Sequence, residues 1–580
     1  MKLALWFVLV LEATCLSAAL VDVEIKVSST RFLMGRSTRL FVNASDGTYW
    51  PFVNGTQWGA FCTIALGRSN CSILLPVPRA GKATVLVAKL PRLWCQVPGQ
   101  CMFPVGTALP QNSPTSNVLQ IEVVSRELKP PASSQDVCID WEPWFTKDNL
   151  GGKPWLSRPG AEGVPLVGLY GSFNADVVRQ HAIWFAEAGV NCILVDWSNN
   201  LWSKKKWADR SIGIQELINA TTFALQEYAS MREESLIAPP KAVIMIGYIN
   251  GPPAAPSALQ DEAAWIHTNY IETFGVDHFL QLDGRPVLVI LDTRDDHPPR
   301  LDWNVSKMFS VRWMGTQLQD RPALGQKEGF WSWMDGSYEP VVAMHSNNAE
   351  ALTVTPGFFN SGGWLGQNAA PYNNGATFVK TMESAMRTNP SVLLVCQWNE
   401  FAGQPGGPPG QYVDSYNVSL TNDMEPISLS ECAYVRPGDK GRLPICDSGW
   451  GFFSLNLLKA SLATFRGVKK STVIRILSPM ARAPVLDPEK VNVTWTTIGD
   501  GANGPFLILV DGNPNELVKD ASKSALLNLK DIAPGKHTLS VVALDGWTRF
   551  QLSRVDVDDM LETPKKNATA SVVFEVTTIL

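Results

Sequence analysis

The sequence predicts an α/β protein: a (β/α)8 TIM-like barrel flanked by N-terminal and C-terminal β-sandwich domains. Three observations carry this expectation. Strand-like apolar runs alternate with helical patterns over 135–466, which implies a parallel sheet. Short alternating runs separated by turn clusters fill 20–128 and 470–580, as in sandwiches. The chain has 580 residues, 45% hydrophobic and 18% charged, so it has material for roughly two to four domains and lacks the composition of a disordered chain.

The N-terminus reads as an address. Met1-Lys2 precede the apolar stretch Leu3–Leu11, and the small residues Ser17, Ala18 and Ala19 follow. Residues 1–19 are therefore expected to be a cleavable secretory signal peptide. No later apolar run reaches the length of about 18 residues that suggests a span, so no membrane span is expected in the mature chain. The protein is expected to be secreted, or to reside in the secretory-pathway lumen. Asn-x-Ser/Thr acceptors at Asn43, Asn54, Asn70, Asn219, Asn304, Asn417, Asn492 and Asn567 agree with a glycoprotein. The formal net charge of −5 offers no basic surface for phosphates, so no nucleic-acid partner is expected.

Residues 20–128 contain alternating runs such as Val21–Val27 and Val118–Val124. Lys129–Ser134, rich in Pro and Ser, is the expected linker to the barrel. Eight barrel strands follow: Val137–Trp141, Asn191–Asp196, Ala242–Tyr248, Pro286–Asp292, Met308–Trp313, Gly329–Trp333, Ala351–Thr355 and Val392–Trp398. Asn174 can cap a helix over Ala175–Ala188 that Gly189 ends. Ile214–Met231 and Glu262–Phe274 are further helices. A second boundary lies near Gly467–Lys470. Beyond it, Val491–Trp495, Phe506–Val510 and His537–Val542 suggest an immunoglobulin- or fibronectin-like sandwich.

Cysteines fall into two groups. Cys62/Cys71, Cys95/Cys101 and Cys432/Cys446 are close pairs in loop-like surroundings and are candidate disulfides. Cys138, Cys192 and Cys396 sit in strand-like runs and read as small buried thiols. The chain has neither a CxxC pair nor an HExxH motif, and its six His are scattered, so no metal site is expected.

In such a barrel the site forms where the strands end. The first strand ends in Asp140-Trp141-Glu142-Pro143-Trp144, and Asp140 and Glu142 would share a face. Asp196-Trp197-Ser198-Asn199, Tyr248-Ile249-Asn250, Asp292, Trp333-Met334-Asp335 and Trp398-Asn399-Glu400 end others, with Arg312 near the end of the fifth. Carboxylates and tryptophans thus converge on one rim. Glycoside hydrolysis needs that mixture: one carboxyl protonates the leaving oxygen and a second assists attack at the anomeric carbon. Fifteen of the 21 Trp lie between Trp141 and Trp450, where they could stack on sugar rings.

Several motifs sharpen the expectation. Gly284–Ile290 before a strand end, Val195-Asp196-Trp197, Trp398-Asn399-Glu400-Phe401, Asn422–Pro426 and Gly449–Phe453 together resemble the group of glycoside hydrolase families 99 and 71. The resemblance covers roughly 138–460. It implies a secreted barrel enzyme acting on an α-linked polysaccharide or glycan, of α-mannan or α-glucan type. Family 99 typically carries Asn-Glu-Trp-x-Glu on the last strand. Its first Glu acts on the sugar 2-hydroxyl, in a proposed 1,2-anhydro-sugar route, and its second is the general acid. Glu400 matches the first; Gly403 stands at the second.

The catalytic candidates are therefore Glu400 as base or nucleophile and Asp196 or Glu142 as acid. Asp140, Trp141, Trp144, Trp197, Asn199, Tyr248, Asn250, Asp292, Arg312, Trp333, Asp335, Trp398 and Asn399 are substrate-binding candidates. Two acids acting on a sugar need no cofactor. Gly403 keeps open a catalytically impaired carbohydrate-binding or adhesion protein on the same barrel.

Overall fold

The computed structural model describes residues 23–64, 66–90, 95–97, 100–101, 105–129, 133–145, 164–198, 201–203, 206–208, 214–248, 256–292, 303–360, 363–364, 368–401, 418–429, 449–468, 472–480, 484–485, 487–499, 502–519, 521–544 and 569–576. The expected signal segment, Asn199, Asn250, Gly403–Gly410, Asn417, Asn567 and the Cys432/Cys446 pair lie outside these residues. So do the side chains of Cys95 and Cys101.

The central unit is a mixed α/β structure around a nearly closed ring of eight parallel strands. In chain order they are Asp136–Trp141, Cys192–Trp197, Lys241–Gly247, Arg285–Leu291, Ser310–Gly315, Trp331–Ser332, Asn348–Val354 and Val392–Val395. The first strand pairs with both the second and the last, and pairing continues around to the sixth. Among the described residues no backbone ladder joins the sixth strand to the seventh. The Thr353 hydroxyl instead donates to the Ser332 carbonyl across that seam. Several boundaries differ from expectation: the eighth strand ends at Val395 and not at Trp398, and the sixth spans only Trp331–Ser332. Met308 ends a short helix, Trp303–Met308, before the fifth strand. The seventh begins at Asn348, because a hairpin with Ala343–His345 leads into it.

The helix Ala175–Ala188 forms as its ends dictate. The Asn174 side chain accepts from the Asp176 and Val177 amides, and Gly189 takes the left-handed conformation at φ 90° that stops it. Period-two alternation sends Leu194, Val243, Met245, Val287 and Val289 into the ring, where they form its inner core with Cys138 and Cys192. These two cysteines are a disulfide and not the thiols expected. They are register partners on adjacent strands and face the same way, with Cα atoms 4.2 Å apart. Cys62–Cys71 is bonded as expected, and Cys396 is a buried free thiol.

On the N-terminal side a three-stranded sheet (Glu24–Val27, Ser37–Asn43, Asn70–Pro76) and a larger one lie over a core that includes Leu40, Val42, Phe52, Val85 and Val87. Two C-terminal sheets share a separate core around Trp495, Phe506, Val541 and Phe574. Buried charge ties both units to the ring. Glu187, on the helix Ala175–Ala188, meets Lys459 at 2.7 Å and also Arg126 and Arg36 from the N-terminal unit. Glu383, on the helix Ala376–Thr388, accepts from Thr496 and Lys523 of the C-terminal unit, each at 2.7 Å. No helix among the described residues is long and apolar enough to cross a membrane. The Cys62–Cys71 and Cys138–Cys192 disulfides are compatible with secretion.

Candidate active site

Three buried carboxylates meet at the strand ends. Asp140, Glu142 and Asp196 each present an oxygen, all within 4.8 Å of one another. Asp140 and Glu142 are two apart on the first strand's exit, and Asp196 is near the end of the second, so alternation turns all three inward. Asp140 Oδ2 accepts from Trp333 Nε1 at 2.7 Å. Its Oδ1 is buried and has no hydrogen-bond partner among the described residues. Asp196 Oδ1 accepts from the Ser198 amide at 2.5 Å, and Asp196 also hydrogen-bonds Glu142.

Crowding sets the protonation. Burial, and then the Asp196 charge, hold the Asp140 carboxyl well above the usual range, against the opposing Trp333 and Trp141 hydrogen bonds. Burial also raises Asp196, while bonds from Ser198 and Glu142 oppose the rise. Carboxylates this close oppose one another's ionisation, so the cluster holds a proton more tightly than a lone carboxylate would. It can thus supply both an acid and a base. Three such oxygens also have the donor character of a hard-cation site.

The last strand delivers the fourth carboxylate. After Val395 the chain leaves the ladder, and the Trp398 amide donates to the Asp140 carbonyl at 2.8 Å. Asp423 clamps the turn, accepting from the Glu400 amide at 2.7 Å and the Phe401 amide at 3.0 Å. Gln397 Nε2 donates to Glu400 Oε2, which orients the carboxylate. Asn399 binds both backbone polar groups of Glu142, at 2.8 and 3.2 Å, and donates to the Tyr170 hydroxyl at 2.9 Å. Tyr170 donates to Glu425 Oε2 at 2.8 Å, and His181 meets Oε1 at 2.9 Å. His181, on the helix Ala175–Ala188, is buried in this chain of polar contacts.

The remaining candidates divide. Asp292 is buried at the end of the fourth strand, and Tyr248 packs its ring edge against Trp313. Trp333 is half-buried and touches the cluster through its N–H. Asp335 organises a loop, accepting from Ser332 Oγ and the Leu318 and Val341 amides. Trp141 and Trp197 alternate with the acids and so face away from them; Trp197 donates to Thr221. Trp398 is buried against His181 and Phe185, and Trp144 is buried as well. Among the described residues, Trp141, Trp144, Trp197 and Trp398 therefore serve packing and not an open sugar cleft. Arg312, expected to contact substrate, is instead held by both Glu350 oxygens at 2.6 and 2.7 Å and by Asp283 at 3.1 Å. Glu350 lies near the start of the seventh strand and Asp283 just before the fourth, so the group sits at the opposite end of the ring.

Sequence reasoning had given no role to Asp423, Gln397, Tyr170 or Glu425. The acids of Asn422–Pro426 were visible, but their contacts with the last strand depend on a return of the chain that no local pattern encodes.

No protein-family profile matches the chain, and no curated protein matches it significantly. Solved structures give weak likenesses. A family GH99 endo-alpha-mannosidase from Bacteroides thetaiotaomicron is 15% identical over 57% of this chain and 97% of its own, with a TM-score of 0.41. A beta-glucuronidase from Bacteroides uniformis is 9% identical over 96% and 61%, with a TM-score of 0.35. An endo-beta-1,4-mannanase from Thermotoga petrophila is 10% identical over 77% and 92%, with a TM-score of 0.29. Neither family nor substrate follows from likenesses at this level.

Proposed function

We propose that this protein is a secreted glycoside hydrolase acting on an α-linked polysaccharide or glycan, of α-mannan or α-glucan type. Its catalytic unit is a (β/α)8 barrel between two β-sandwich domains. The observation that carries the reading is the buried cluster of Asp140, Glu142 and Asp196, within 4.8 Å of one another, at the ring end that also receives Glu400. Glycosidic cleavage needs a carboxylic acid to protonate the leaving oxygen and a carboxylate to assist attack. Asp196 or Glu142, joined by a hydrogen bond, serves as the acid. Glu400, with its amide held by Asp423 and its carboxylate by Gln397, serves as base or nucleophile. Asp140 and Trp333, joined by a hydrogen bond, would shape the substrate pocket, with Asp292 as a further candidate, whereas Tyr248 packs in the outer layer beside Trp313.

The test measures product release from α-mannans, α-glucans and high-mannose glycans by the parent and by Glu400→Gln, Glu142→Gln and Asp196→Asn. The expected result is release by the parent and a loss of about 10²–10⁴-fold for Glu400→Gln and for one of the other two. Undetectable release from all four proteins, with binding of one glycan retained, would replace the hydrolase by a carbohydrate-binding protein.

A further inference from the structure

One cleft is lined by none of these carboxylates and has no part in the chemistry above. It opens where the C-terminal sheets meet the ring, with a volume of about 630 Å³. That falls within the range of about 300–1,000 Å³ common for small-molecule pockets. Tyr338, Asn373 and Lys380 line it from the central unit; Met480, Asp487 and Asn492 line it from the C-terminal unit.

The strand Val491–Gly499 explains the cleft's position. Val491, Val493 and Trp495 turn into the C-terminal core. Asn492, Thr494 and Thr496 occupy the other face, by strand alternation. Along that face burial increases stepwise: Asn492 is exposed, Thr494 half-buried and Thr496 buried, where it bonds Glu383 of the central unit. The cleft is thus the open mouth of a closed interface, and Asn492 stands at its rim. Asn492-Val493-Thr494 is an N-glycosylation acceptor. Apolar surface surrounds it. Leu526, the cross-strand partner of Asn492, is 64% exposed, Met480 48% and Tyr338 36%. Tyr338 is held edge-on against Phe358 at 5.2 Å, so its ring is a fixed wall. An aromatic wall with amide, ammonium and carboxylate groups around it suits a sugar, which has apolar faces and a hydroxyl rim.

We propose that Asn492 carries an N-linked glycan whose first sugars lie in this cleft and bridge the central unit to the C-terminal sheets. In the modification, the Asn492 amide nitrogen bonds to the anomeric carbon of an oligosaccharide. The carbon–oxygen bond to its lipid-diphosphate carrier breaks, and the amide proton leaves with the diphosphate. The sugar then covers Leu526 and meets Tyr338. This inference is independent of the hydrolase reading.

The test uses the full chain secreted from a cultured eukaryotic cell line. Glycopeptides are mapped by mass spectrometry, and the folded protein is treated with an amidase that cuts the Asn–sugar bond. The expected result is an occupied Asn492 whose glycan is released about tenfold faster from Tyr338→Ala than from the parent. Tyr338→Phe, which keeps the ring, releases it at the parent rate. A melting curve for each variant confirms that the fold is retained. An unoccupied Asn492, or equal release from the parent and Tyr338→Ala, overturns the proposal.

Discussion

Asp140 is pulled in two directions. Burial and the neighbouring Asp196 charge keep its proton on, whereas the Trp333 and Trp141 hydrogen bonds favour release. Its native pKa lies above the unfolded one, so the folded state binds this proton more tightly. Stability therefore declines as pH rises from the ordinary carboxylate range towards the raised native value. Asp140→Asn removes that penalty. It should melt about 2–4 °C higher than the parent at pH 7. The gain should vanish below about pH 3, where the parent is protonated in both states. Calorimetry at the two pH values checks this, and a lower melting point at pH 7 would contradict it. Trp333→Phe acts in the opposite sense on the proton, because it deletes a bond that favours ionisation. The pH–rate limb set by the cluster should move to higher pH, by about one unit or less. A limb that stays in place would mean that Asp140 does not govern it.

At the scale of elements, single residues fasten neighbours together. Asn399 ties the last strand's exit to that of the first through both backbone groups of Glu142. Asn399→Ala removes its bonds to those buried groups and to the Tyr170 hydroxyl, at about 1–3 kcal/mol of stability. It should lower kcat by about tenfold or more while leaving KM within about twofold, since it positions Glu142 and need not touch substrate. Steady-state kinetics separates the two constants. Glu383 fastens the helix Ala376–Thr388 to the C-terminal sheets. Burial alone would raise its carboxyl, but Lys380, Lys523 and Thr496 outweigh that and hold it at about 2. A depressed native pKa stabilises the fold above the unfolded value and ceases to do so as pH falls through the native one. The contact should therefore weaken between an ordinary carboxylate value and about pH 2. Melts recorded from pH 6 to pH 2 should show a loss in the parent that is smaller in Glu383→Gln, which is already destabilised at pH 6.

Across the whole molecule, what could be read in the sequence was whatever local pattern controls. All eight ring strands lie within a few residues of their expected places, because apolar runs and their flanking turns are local signals. The same holds for the helix from Asn174 to Gly189, whose two ends are written in single residues. Contacts set by register were not readable. Cys138 meets Cys192 only because their strands are adjacent and in step. Arg312 looked like a rim residue until Glu350, from a strand later in the chain, claimed it. The tryptophans misled because residues next to an inward acid must face outward. The seam between the sixth and seventh strands has a consequence in time as well as in shape. Among the described residues the ring is closed by ladders except where the hydroxyl of Thr353 reaches the Ser332 carbonyl, and that seam is a preferred line along which to breathe. Backbone amides of Trp331–Gly336 should exchange with deuterium earlier than those of Cys192–Trp197, which lies between two paired neighbours. Thr353→Val should quicken exchange at the seam and leave the rest of the ring unchanged.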